Sequence, residues 1–276
     1  MAVITLTSDW NKQDYYAGML KGRIIRMIPS AVLVDISHDI QPFHSLQGAF
    51  VLRHALTEFP EGTIHIFLVN QGYDADINPV ICKYRGQYIL SWNDAVLGLL
   101  FDEEPEFCLN ITPEVFASMG FQDPNTPDTK VFSPAFPEMA LFPNILKWLT
   151  DRPNMSFEGF ESTHIGQSPW QPVIQDGAIT GRVIYIDSYQ NAISNITRSL
   201  FESQQKDRGF GIFVKSNHYQ IDQLSLSYRD AEAGDLIALF NSVGFLEIAI
   251  VQGQVGELLS LEPGSTIKIK FYDKSK

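Results

Sequence analysis

A chain of 276 residues is too long for one small core and suits two domains or one large one. Its 45% hydrophobic and 19% charged residues are those of an ordinary folded protein, which excludes collagen-like and disordered classes. The formal charge of −12, from 20 basic against 32 acidic side chains, argues against a nucleic-acid binder, because that function needs a basic face to replace counterions on phosphate. The N-terminus, Met1 to Thr7, carries no basic region and no cleavage signature. No apolar run approaches the ~20 residues that span a bilayer. The expectation is a cytoplasmic protein with neither nucleic acid nor membrane as partner. Cys82 lies in an apolar run, and neither it nor Cys108 belongs to a CxxC pair, so both read as reduced core thiols.

In chain order, Ala2 to Thr7 predicts an apolar strand ending at Ser8-Asp9. Helical spacing of Tyr15, Met19, Ile24 and Ile28 predicts a helix over 14–28, closed by Pro29. A strand over 31–36, a helix over 46–59 stopped by Pro60 and a strand over 63–69 follow. Strand, helix, strand, helix, strand is the pattern of a mainly parallel sheet with helices on both faces. Hairpin-like strands at 79–84 and 87–91 and a helix over 137–148 complete this part. The stretch Asp151–Pro172 is rich in Pro, Gly and polar residues. The division expected is an α/β domain over 1–160, a linker over 161–172 and a smaller domain over 173–276. In that last part, strands at 181–187, 211–215, 236–240, 245–251 and 265–271 are spaced by turn residues with no long helix between them. That pattern predicts an all-β barrel or sandwich.

Few residues announce chemistry. The six histidines are scattered without zinc-motif spacing, and there is no GxSxG and no P-loop. Asp35 and His38 are three apart, with no evident nucleophile beside them. Asp9 would sit at the C-terminal edge of a parallel sheet, where ligands bind. It reads either as an acceptor for a ribose diol or as the cap of the next turn. Phe43, in Gln41-Pro42-Phe43, reads either as a stacking surface for a nucleobase or as packing. Asp187-Ser188-Tyr189-Gln190-Asn191 follows a strand and reads as a plain turn, or as a site for an amino acid's ammonium and carboxylate.

The ordered set of short motifs resembles a known family. It runs from Ile4-Thr5-Leu6-Thr7-Ser8-Asp9 through Val34-Asp35-Ile36-Ser37-His38, Pro42-Phe43 and Phe59-Pro60-Glu61-Gly62-Thr63 to Gly181-Arg182-Val183-Ile184-Tyr185-Ile186-Asp187. It ends with Asn241-Ser242-Val243-Gly244-Phe245-Leu246-Glu247 and Gly256-Glu257-Leu258-Leu259. The set is similar to the S-adenosyl-L-methionine (SAM) hydroxide adenosyltransferases, a family that also contains fluorinating and chlorinating enzymes.

The resemblance implies an α/β domain followed by a β-barrel, with SAM as substrate or ligand and no cofactor or metal. It also implies a homotrimer, with SAM held between one subunit's first domain and a neighbour's second. Asp9 would then bind the ribose hydroxyls with support from Asp14, and Phe43 would lie near the ribose and methionine. Asp187, Tyr189 and Asn191 would hold the methionine and adenine portions, and Ser242 the methionine carboxylate. The departures are equally specific. Asn70-Gln71-Gly72 stands where the family has Asp-Pro-Gly, Ile77 where it has Arg, and Pro127 where it has His. Trp92-Asn93-Asp94-Ala95 replaces Pro-Asp-Asn-Gly, and Tyr73 and Asp74 fill the loop after the third strand. Asn70 can hold a water by hydrogen bonds but cannot serve as its base. Two readings follow: cleavage of SAM to adenosine and methionine through a rewired loop around Asn70, or SAM or adenosine binding without chemistry.

Overall fold

The computed structural model describes residues 2–69, 78–93, 95–101, 103–120, 136–152, 157, 160–163, 165, 171–216 and 219–273. The chain divides into two compact units, residues 1–167 and 168–276. The first contains β1 (Val3–Ser8), α1 (Tyr16–Met27), β2 (Val32–Ser37), α2 (Ser45–Leu56), β3 (Ile64–Leu68), β4 (Pro79–Tyr84), β5 (Gln87–Trp92), β6 (Phe107–Asn110), α3 (Pro113–Ser118), α4 (Glu138–Asp151) and β7 (Glu161–Ser162).

The sheet of this unit runs β2-β1-β3-β5-β4-β6-β7. The pairings β1–β2, β1–β3 and β3–β5 are parallel; β4–β5, β4–β6 and β6–β7 are antiparallel. The sheet is therefore mixed rather than mainly parallel. The change of direction comes at Arg85-Gly86, both with positive φ (50° and 72°), the two-residue turn that joins antiparallel neighbours and leaves no room for a crossover.

Helices do cover both faces, because the strand side chains alternate. Ile4, Leu6, Ile64, Ile66, Ile81 and Leu90 pack with residues of α1, α3 and α4, among them Leu20, Ile24, Phe116 and Phe142. Phe67, Val69, Val80, Cys82 and Ile89 pack on the other face with Ala49, Leu52 and Leu56 of α2. Each fully buried aliphatic side chain of this kind contributes roughly 1.5–3 kcal/mol. The helix α2 lies close on the sheet: a Cβ on Gly48 would come within 2.8 Å of Val69 Cγ2. The expectation of free thiols is corrected. Cys82 and Cys108 face each other in the β4–β6 register and form a disulfide, so the described residues contain no free cysteine.

The second unit contains β8 (Val173–Gln175), β9 (Ala178–Ile186), β10 (Ala192–Thr197), α5 (Arg198–Gln205), β11 (Gly209–Val214), β12 (Gln220–Ile221), β13 (Leu236–Phe240), β14 (Phe245–Ile250), α6 (Val255–Leu258) and β15 (Thr266–Tyr272). All strand pairings here are antiparallel, in the order β12-β11-β15-β9-β10-β14-β13, with β8 on β9. The end strands β12 and β13 come close to each other, so the sheet nearly closes into a barrel. Its interior is filled by Ile179, Val183, Ile196, Phe201, Ile212, Leu246, Ile248 and Ile267, and α5, N-capped by the Thr197 side chain, supplies Phe201. No helix among the described residues is long and apolar enough to cross a membrane.

Candidate functional site

The parallel strands β1, β2 and β3 end side by side, and their C-terminal edge carries Asp9 and the loop 38–44. Asp9 is half-buried. Its Oδ2 accepts a hydrogen bond from the Phe43 N–H at 2.9 Å. Phe43 is held in an unusual way. His44 N–H bonds to Gln41 O at 2.9 Å, which closes a turn with Pro42 and Phe43 as its central residues. Phe43 takes φ +64°, a conformation that turns of this kind normally reserve for Gly or Asn. A bulky residue there costs on the order of 1–2 kcal/mol. The ring is 75% exposed, so packing does not repay that cost. The Asp9 carboxylate secures the turn instead. Backbone strain of this sort concentrates at ligand sites.

Beneath Asp9 a polar chain runs from buried Ser8 and His38 to the more exposed Asp35 and Lys21. Ser8 Oγ is 2.7 Å from His38 Nδ1, and His38 Nε2 is 3.2 Å from Asp35 Oδ1. Asp35 Oδ2 in turn accepts from Lys21 Nζ at 2.8 Å. Partial burial pushes the Asp35 carboxyl up, but hydrogen bonds from Lys21 and His38 outweigh it and hold the carboxyl below its ordinary value. The order Ser, His, Asp suggests a nucleophile relay, yet Ser8 is completely buried and His38 is 3% exposed. Neither can meet a substrate, so the chain is structural support. Sequence reasoning noted the Asp35–His38 spacing and missed Ser8, because the third member comes from a neighbouring strand.

In the second unit the β9–β10 turn brings Asp187, Tyr189 and Asn191 together. Asp187 Oδ1 accepts from the backbone N–H of Tyr189 at 2.9 Å and of Asn191 at 2.8 Å, and Oδ2 accepts from Asn191 Nδ2 at 3.1 Å. This is an Asx-type turn, which engages both Asp187 oxygens. The turn leaves the Tyr189 ring 76% exposed and Asn191 buried. Nearby, Glu247 is 3% exposed within the apolar strand β14 and accepts a hydrogen bond from the Tyr228 hydroxyl. Burial pushes the Glu247 carboxyl above its ordinary value; the Tyr228 bond opposes this and the Asp187 charge adds to it. The Tyr228 phenol is pushed up by burial and then by Glu247 and Asp187. A lone carboxylate inside the apolar run 245–251 was the sequence signal for this group, and it was passed over.

Ser242 is exposed in the turn 241–244, which Asn241 Oδ1 closes by accepting from Val243 N–H and Phe245 N–H. Asp14 is exposed in the bend before α1, and its side chain bonds to no other described residue. Asn70, Tyr73, Asp74, Ile77, Asp94 and Pro127 lie outside the described residues. Among the described residues no group of three His, Cys, Asp or Glu is placed to hold a metal ion.

A mixed α/β unit followed in sequence by a nearly closed antiparallel barrel defines a class of two-domain α/β-plus-barrel proteins. Within that class, the chain belongs to the SAM hydroxide adenosyltransferase family, whose N-terminal domain matches residues 4–141 and whose C-terminal domain matches residues 181–268. It is 25% identical to an (R)-S-adenosyl-L-methionine hydrolase of Methanocaldococcus jannaschii, over 97% of this chain and 95% of that protein. A protein of the same name from Thermus thermophilus is 22% identical, over 98% of this chain and all of the relative. The fold is also that of an uncharacterized conserved protein from Thermotoga maritima, with a TM-score of 0.72 at 23% identity over 98% of this chain and 100% of that one.

Proposed function

We propose that this protein binds SAM and displaces methionine from its 5′ carbon with water, giving adenosine and methionine. The observation that carries the reading is the Asp9–Phe43 pair: a carboxylate holding an exposed aromatic in a strained turn at the C-terminal edge of the parallel strands. That pair falls within the family match. In this reading Asp9 receives the ribose hydroxyls and Phe43 offers its face to the ribose and methionine. Asp14 supports Asp9; Asp187, Tyr189 and Asn191 receive the methionine and adenine portions, and Ser242 the methionine carboxylate. The protein acts as a cytoplasmic homotrimer with its sites at subunit interfaces.

The chemistry asks little of acids or bases. Water oxygen attacks the 5′ carbon, the carbon–sulfur bond breaks, methionine leaves as a neutral thioether, and the proton passes to solvent. Bringing water into line in a dry site supplies most of the acceleration such a step needs. In this reading Asn70 orients that water. It cannot take its proton, so turnover is slow. A second reading is a SAM or adenosine binder without chemistry. The specific observation behind it is the replacement of the family's Asp, Arg and His by Asn70, Ile77 and Pro127. Calorimetry with SAM, then with adenosine, tests the shared part of both readings. Wild type is expected to bind both and Asp9→Ala to bind neither; equal affinity in the two proteins removes Asp9 from the site.

A further inference from the structure

The segment that delivers Asp9 is tied at both ends to one residue outside it, beside the Asp9 N–H bond to Leu68 O at 3.4 Å and the packing of Trp10 in the core. Ser8 ends β1, and Asn11 follows with φ +61°, so four residues turn sharply at the strand edge. The His38 carbonyl accepts the Asn11 N–H at 2.9 Å. The His38 ring meets Ser8 Oγ at 2.7 Å, and the same Ser8 oxygen accepts the Trp10 N–H at 3.4 Å. Both ends of the Ser8–Asn11 turn are thereby tied to His38, and Asp9 projects from between them to Phe43.

Lys21 and His38 hold the Asp35 carboxyl below its ordinary value, so at neutral pH it is ionised and only accepts. His38 Nε2 faces Asp35 Oδ1 at 3.2 Å. Ser8 Oγ accepts the Trp10 N–H and lies 2.7 Å from His38 Nδ1, where a hydroxyl can either donate or accept. Turning the ring would break its contacts with Ser8 and Asp35 together. The groups facing it are Ser8 from β1, Asp35 from β2 and, behind Asp35, Lys21 from α1; Asp39, next in sequence, pairs with Lys12 instead.

We propose that His38 is a positioning residue: through Ser8 and Asn11 it sets the direction of the Asp9 carboxylate and, through that carboxylate, the strained Phe43 turn. At 3% exposure it touches no ligand. The role rests on the adenosyl-site reading above, but its structural half can be tested without it.

Two variants of the full chain separate its parts. His38→Leu fills the space and removes the ring's bond to Ser8 and its contact with Asp35, whereas His38→Asn keeps an amide that can bond to Ser8. Amide hydrogen exchange in the unliganded protein is expected to speed up about tenfold or more at Trp10, Asn11 and Phe43 in His38→Leu, the equivalent of one lost buried hydrogen bond. Strand β14 should stay as protected as in wild type. His38→Asn should restore part of the protection, and Ser8→Ala should reproduce the loss should His38→Leu fail to fold. SAM affinity by calorimetry should fall at least about tenfold in His38→Leu and recover partly in His38→Asn. Folded variants with unchanged exchange at those three amides overturn the proposal, as does uniform acceleration across both units. Wild type that binds neither SAM nor adenosine rejects the functional reading, and the exchange data still decide the role of His38.

Discussion

Glu138 opens α4 with its side chain 1% exposed, and neither carboxylate oxygen has a hydrogen-bond partner among the described residues. Burial pushes its carboxyl from 4.5 up to about 7, with only its own backbone N–H pulling the other way. Between those values the folded protein holds a proton that the unfolded chain has released. Stability is therefore fully present below about pH 4.5 and is lost as pH rises through about 7. At about 1.4 kcal/mol per pKa unit, the whole loss is about 3 kcal/mol. About 2.5 kcal/mol of it falls between pH 5 and 8.5. Glu138→Gln removes the titration while keeping the shape. Its amide costs something at every pH, so the quantity to compare is the change with pH. Urea unfolding at pH 5 and pH 8.5 should find the variant gaining about 2–3 kcal/mol on wild type between the two. A difference that stays constant across that range refutes the argument that Glu138 is buried without a partner.

Three further outcomes follow from the geometry. His65 is fully buried between Thr5 Oγ1 and Gln87 Oε1, and burial lowers its ring to about 4, so it is neutral when folded. Stability from this group is present above about pH 6.5 and is lost as pH falls through 4; Glu138→Gln protein should show that acid-side fall in a denaturation series, and a level profile would contradict it. Gly48→Ala forces a methyl against Val69 and Phe67 and should destabilise by about 1–3 kcal/mol in urea melts, where an unchanged midpoint would mean that α2 lies further from the sheet. Phe43→Gly relieves the positive φ and should raise the thermal midpoint slightly while weakening SAM binding; gain in both would place the ring outside the site.

The legible part of the fold was the part with local signals. Residues 3–68 alternate apolar β-branched strands with helices that proline stops, so their elements were found within a few residues. The mixed character of the sheet was not legible as a whole, because β6 is only four residues and pairs with β4 across a sequence gap. Missing β6 also hid the Cys82–Cys108 pairing, which exists only through that register. β10 was missed; its polar residues Ser194 and Asn195 are both buried in the barrel. In the site, Asp9 and Phe43 were visible as candidates, but the choice between packing and exposure for Phe43 needed its backbone angle and its surroundings. The Ser8–His38–Asp35 chain joins two strands and was beyond single-segment reading. The family resemblance supplied what periodicity could not: an order of weak motifs along most of the chain.

The direct test of the account is incubation of the purified full chain with SAM, with adenosine and free methionine followed by chromatography against a no-protein control. Equimolar adenosine and methionine, formed with repeated turnover and lost in Asp9→Ala, is the predicted result. Absence of adenosine above the control, with or without SAM bound, would contradict it.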